Sequence, residues 1–264
     1  MHCVRVCAAV LLCFVTVDSS FAQQIASPTA QGSQALRQSL AALCGGQSLA
    51  DVTLSGTARR ISGSDDESGT ATLKAMAKGA SRIDLSLPSG QQTEVKDTSA
   101  NPAIGTWLGP DRVSHAIAGH NLLTEPAWFF PGFAVARGLS SATYTAIYVG
   151  HETWNSTAVE HVVIYQRLVS STGIGDIIQH LSQQDLYLDS STFLPVGLSF
   201  NIHPDDVTTV DIPLIIRFSD YRSVNGAEIP FHVQEFMNNG LILDLQFQSA
   251  TLNTSLPASI FRIE

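Results

Sequence analysis

The chain has 264 residues, 44% of them hydrophobic and 14% charged, with a formal net charge of −9. That length suits one large domain, and an all-β domain of this size can be single. The acidic balance excludes a nucleic-acid surface, which needs a basic face.

The N-terminus reads as a processing signal. Arg5 precedes an apolar run from Val6 to Val17, which is the length of a signal core and too short to span a bilayer. Ser20-Phe21-Ala22 fits the small-x-small cleavage pattern, so residues 1–22 are expected to leave and Gln23 to begin the mature chain. Cys13 follows Leu12 and Cys7 follows Val6, so neither has the small residue that lipidation requires just before it. Cys3, Cys7 and Cys13 would depart with the signal. Cys44 then remains alone, unable to form an internal disulfide, and is expected to be a buried structural thiol. The mature chain is expected to be exported and soluble in the periplasm.

Residues 23–33 are polar and read as a flexible lead-in. Ser33 is placed to cap a short helix carrying Leu36, Leu40 and Leu43 at helical spacing, which Gly45-Gly46 ends. Strands follow at Asp51–Ile61, Ser68–Met76, around Ile83–Leu87 and at Gln91–Asp97, with Ser62–Gly69 as a flexible acidic turn. Links this short make the strands antiparallel neighbours. Residues 101–139 interrupt the pattern. They hold Gly, Pro and a cluster of aromatics, with a short helix expected at Ser114–Leu123. Within them Pro126 and Pro131 flank Trp128, Phe129 and Phe130, and two prolines so close exclude a central strand.

Strands resume at Tyr144–Val149 and Val159–Val169. An amphipathic helix is expected at Ile174–Gln184, with Ile174, Ile177, Ile178 and Leu181 as its apolar stripe. The last third alternates most clearly. Val196, Leu198, Phe200 and Ile202 share one face of a strand, as do Ile212, Leu214, Ile216 and Phe218, and as do Leu243, Leu245 and Phe247. Asn225-Gly226 and Asn238-Asn239-Gly240 mark hairpins. The sum is about ten strands, few helices and no βαβ alternation. That implies a mainly β (α+β) domain over residues 34–264, built on a single curled antiparallel sheet that forms an unclosed β-barrel. Its concave face would be covered by a few short helices and the 101–139 insertion.

Three features carry a family resemblance. Asp189, Leu194 and Pro195 form a D-x-x-x-x-L-P turn. Asp220-Tyr221-Arg222, Gly226, Ile229 and Pro230 form a D-Y-R-x-x-x-G-x-x-I-P hairpin. Asn253, Leu256, Pro257 and Phe261 form a closing N-x-x-L-P-x-x-x-F segment. With the leading helix and first strands, this resembles the LolA/LolB superfamily of periplasmic lipoprotein-sorting and lipoprotein-localisation proteins. The resemblance implies an unclosed barrel whose cavity takes up lipoprotein acyl chains, and an envelope membrane protein as a further partner. Where those carriers place an Arg-Pro after the second strand, with the arginine holding the lid, this chain has Lys78-Gly79 and then Arg82.

The expected function is binding of an apolar ligand, a lipoprotein or lipid acyl chain, without catalysis or cofactor. The alternative is a structural or interaction domain of the envelope whose aromatics fill its own core. Candidate ligand-binding residues are Trp107, Leu122, Trp128, Phe129, Phe130 and Phe133 in the insertion, with Leu198, Phe200, Ile216, Phe218, Leu245 and Phe247 on the sheet. No nucleophile elbow, P-loop or dinucleotide fingerprint is present in the sequence. His115 and His120 lie outside common metal-pair spacing, and His151, His161, His180, His203 and His232 are isolated along the chain, so no metal site is expected.

Overall fold

The computed structural model describes residues 26–140, 142–168 and 173–263. The expected signal peptide lies outside them. Helix α1 (Pro28–Cys44) begins earlier than the sequence suggested, taking in most of the supposed flexible lead-in. Ser27, not Ser33, is its cap: the Ser27 hydroxyl accepts from the Ala30 amide at 3.2 Å, and Pro28 sits where a missing N–H costs nothing. Gly45, in the left-handed region, closes the helix.

Thirteen strands follow in one sheet: β1 (Asp51–Ser62), β2 (Asp65–Met76), β3 (Ala80–Leu87), β4 (Gly90–Asp97), β5 (Ile104–Leu108), β6 (Ser114–Ala116), β7 (Tyr144–Trp154), β8 (Thr157–Gln166), β9 (Gln184–Asp189), β10 (Pro195–Ile202), β11 (Ile212–Val224), β12 (Ala227–Met237) and β13 (Gly240–Leu252). Every pairing is antiparallel. The order is β6-β5-β4-β3-β2-β1-β13-β12-β11-β10-β9-β8-β7, so β6 and β7 are the free edges and the sheet does not close. Two short helices complete the set, α2 (Pro131–Gly138) and α3 (Ile174–Ser182).

Helix α1 shows the curl. It touches edge strand β7, its neighbour β8 and also β12, although β8 to β11 stand between β7 and β12. Only a sheet wrapped around the helix permits that. The approach is close: a Cβ on Gly32 would lie 2.9 Å from backbone atoms of Ala146 and Tyr148, so glycine alone fits there. Leu36 and Leu43 of α1 are buried against the inner face together with Leu54, Leu73, Leu186, Leu198, Ile216, Phe218, Leu245 and Phe247.

Residues 101–139 differ from expectation in detail. The helix expected at Ser114–Leu123 is instead strand β6 followed by one 3₁₀ turn at Gly119–Leu122, because β5 offers a free edge on which Ser114–Ala116 pairs. The acidic turn at Ser62–Gly69 is a tight hairpin in which strand pairing runs up to Ser62 and Asp65. There Arg59 and Asp66 pair across the strands at 2.6 Å. The stripe on α3 is largely unburied: Ile174 and Ile177 are 46% and 53% exposed, and of its four members only Leu181 is buried.

The motifs behind the family resemblance are structural fixtures. The Asp189 carboxylate accepts from the Ser191 and Thr192 amides at 3.0 and 2.8 Å, folding the turn into β10. Tyr221 donates to the Pro195 carbonyl at 2.6 Å. Asn225 and Gly226 both have positive φ, as a type I′ turn requires. Asn253 caps the start of β1, accepting from Ala50 N at 2.7 Å. The buried Asp51 carboxylate accepts from the Thr254 and Ser255 amides, each at 2.8 Å. That aims the C-terminal segment onto the outer face, where Phe261 is buried with Ala80 and Val95.

Candidate functional site

After β6 the chain must reach β7 at the opposite edge, and it does so across the inner face. Ala127, Trp128, Phe129, Phe130, Phe133 and Val135 all belong to the same buried cluster as the sheet's inner residues. The prolines now have a place. Pro131 opens α2 at its first turn, and Phe130 is the residue before that helix. Trp128 meets Phe129 edge-on at 5.7 Å, and Phe130 meets Phe133 edge-on at 4.8 Å.

The crossing is fastened by polar contacts at each step. The Asn121 side chain accepts from the His203 amide at 2.9 Å and donates to the His203 carbonyl at 2.8 Å. Gln166 donates to the Leu123 carbonyl at 2.9 Å. The Glu125 amide donates to the Gln184 side chain at 3.2 Å. Arg137, from α2, stands 2.9 Å from the Glu125 carboxylate, whose side chain is 1% exposed. Burial, the largest single influence, would weaken the charge on Arg137, but the Glu125 carboxylate and Tyr144 together more than offset it and raise its pKa. Arg82, by contrast, lies on the outer face, bound to Asp84 at 2.6 Å and to the Ile260 carbonyl at 3.1 Å. The arginine that holds the crossing segment is therefore Arg137.

Between the crossing segment and strands β1, β3, β4 and β10–β13 lies a cavity of about 650 Å³. Its lining includes the apolar Ile83, Leu85, Trp128, Phe200, Leu214 and Leu243. Interleaved with them on the same sheet face are Arg60, Gln92, Glu94, Lys96 and Glu235. Register explains why these charges face inward. Glu94 pairs with Ile83, and Arg60 and Glu235 both pair with Leu243, so all sit on the same face as the core. Lys96 and Glu94 form an ion pair at 3.0 Å. Trp107 lines the open side, 43% exposed and stacked on His115 at 4.2 Å.

The twelve sequence-derived candidates thus divide. Trp107, Trp128 and Phe200 line this cavity. Leu122 and Phe133 flank a second cleft beside α2. Phe129, Phe130, Leu198, Ile216, Phe218, Leu245 and Phe247 are buried in the core away from either. The charged lining residues were missed because, within a strand, an inward charge looks the same as an outward one. Only the pairing register of β1, β4 and β12 separates them.

Glu235 is perturbed. Burial first, and repulsion from Glu94 second, raise its carboxyl pKa to about 7, against the pull of Lys96 and Arg60. In the unfolded chain it would ionise near its ordinary value of 4.5. Between these values the folded state binds the extra proton, so stability falls as pH rises through that window. Glu235→Gln is therefore expected to match the native chain near pH 4.5 and to exceed it near pH 8. The gain at the higher pH is on the order of 1–3 kcal/mol, below full conversion of the shift because the side chain opens onto the cavity. Urea unfolding at the two pH values reads the difference.

No family model matches the sequence, and no curated protein matches it. Solved structures do match the fold. An outer membrane lipoprotein-sorting protein domain from Vibrio parahaemolyticus aligns over 88% of this chain and 97% of its own, at 12% identity and a TM-score of 0.55. A LolA superfamily protein from Nitrosomonas europaea aligns over 88% and 97%, at 12% identity and a TM-score of 0.52.

The chain has the LolA-like fold. A DUF1329 family protein from Desulfovibrio piger shares it, over 90% and 98% of the two chains, at 10% identity and a TM-score of 0.56. The alignments span 88–90% of this chain, so the likeness is one of overall fold. Among the described residues, no helix is long and apolar enough to cross a membrane.

Proposed function

We propose that this chain is a non-enzymatic binding protein of the periplasm whose cavity takes an acyl chain of a lipid or lipoprotein. The observation that carries the reading is the mixed lining of the cavity. Its volume of about 650 Å³ falls within the range of small-molecule sites, with apolar side chains for the chain and charges among them for a headgroup. Each buried methylene would contribute about 0.8 kcal/mol, so affinity needs no catalytic chemistry. The solved structures of like fold include a lipoprotein-sorting domain, which agrees with this ligand class. The fastened crossing segment directs access to the open side between Trp107 and the β1–β2 hairpin at Ser62 and Gly63. A membrane protein that delivers or receives the cargo would meet the molecule there.

A titration tests this. Delipidated protein offered a fluorescent fatty acid is expected to show saturable binding. Leu85→Trp, which projects into the cavity, is expected to weaken it about tenfold, the loss of roughly two buried methylenes. Absence of saturable binding would leave the structural-domain alternative standing.

A further inference from the structure

We infer that His180, His203 and Asp211 form a site for a zinc ion, at the same end of the sheet as the β1–β2 hairpin. The three residues come from separate elements. His180 lies in the last turn of α3, His203 directly follows β10, and Asp211 directly precedes β11. Folding brings their ligand atoms within 4.8 Å of one another. His180 Nε2 and His203 Nε2 stand 3.1 and 3.0 Å from the same oxygen, Asp211 Oδ1. Ligand atoms bonded tetrahedrally to zinc at about 2.0–2.1 Å are themselves about 3.3 Å apart, so the spacing needs little adjustment.

The donor set fits the ion. Two imidazoles and a carboxylate are the ligands of zinc sites that keep a fourth position open, and that position would face a cleft of about 360 Å³ lined by Gln183, Asp185 and Asn201. The His203 side chain is 1% exposed, and its Nδ1 is buried without a hydrogen-bond partner. His203 uses its other ring nitrogen on the oxygen it shares with His180. Around it, Asn121 fixes the His203 backbone through two hydrogen bonds, and His120 holds the neighbouring Pro204 carbonyl at 3.1 Å. An ion there would tie α3 and the loop between β10 and β11 to the start of the crossing segment.

The test uses the full chain, stripped with a chelator and titrated with zinc against a chromophoric competitor. One equivalent is expected to bind. His180→Ala and Asp211→Asn should each loosen binding by more than about tenfold. Both residues are substantially exposed, so the variants keep the fold, which far-ultraviolet dichroism confirms. His151→Ala, a control at an exposed histidine on β7, should leave the affinity unchanged. Failure to bind one equivalent, or affinity unmoved in both His180→Ala and Asp211→Asn, overturns the inference. So does a loss in His151→Ala equal to theirs.

Discussion

Phe129→Ala is expected to lower the free energy of unfolding by about 3–5 kcal/mol, the usual cost of removing a fully buried aromatic ring. Phe129 has no exposed surface and sits between the sheet's inner face and Trp128. It lines neither the main cavity nor the cleft beside α2, so a ligand cannot refill the space. The midpoint in urea should fall with the slope unchanged, marking lost stability rather than a changed denatured state. Trp128→Ala separates the two roles of the aromatic stretch. Trp128 borders the cavity as well as the core, so its removal enlarges the binding volume and should alter acyl-chain affinity. Phe129→Ala, at concentrations where it remains folded, should not.

Arg137→Ala should be comparably severe, at about 3–5 kcal/mol, for a different reason. Glu125 is buried, and without Arg137 its carboxylate has no compensating charge. The pair as a whole contributes far less than that number, because both ions were desolvated to form it. Arg137→Met combined with Glu125→Gln is therefore expected to recover most of the loss. A glutamine still accepts from the Ala127 amide, as Glu125 Oε1 now does at 3.0 Å. Chemical denaturation of Arg137→Met, Glu125→Gln and the double variant closes the cycle. If the double variant is as unstable as Arg137→Ala, the ion pair is not what fastens the crossing segment.

Much of the fold was legible because period-two alternation and Asn-Gly turns report local geometry directly. The β10, β11 and β13 patterns carry one apolar face each, and the hairpin at Asn225-Gly226 is where the sequence placed it. The turn motifs of the family resemblance hold because their side chains satisfy turn amides, as Asp189 and Asp51 do. Strands β5 and β6 were illegible because they are short and lie among Gly105, Gly109 and Pro110. The start of α1 was hidden by its polar first turns. Its stability there comes from the Ser27 cap and from Gly32 against β7, neither of which is an apolar stripe. On α3 the opposite happened: a clean apolar stripe did not guarantee burial, and Ile174 and Ile177 face outward. The histidine cluster escaped because spacing rules see neighbours in sequence, whereas His180 and His203 meet only when α3 folds back beside β10.

The central claim is that an acyl chain lies in the cavity against Trp128. Fatty acids brominated along the chain quench tryptophan on contact, and two single-tryptophan variants locate the chain. Trp128 borders the cavity, whereas Trp154 stacks on Tyr187 at 4.6 Å beside Gly197 and Arg217, away from the cavity lining. Saturable quenching of Trp128, with Trp154 unaffected, is the predicted result. Unquenched Trp128, or equal quenching at both positions, would contradict it.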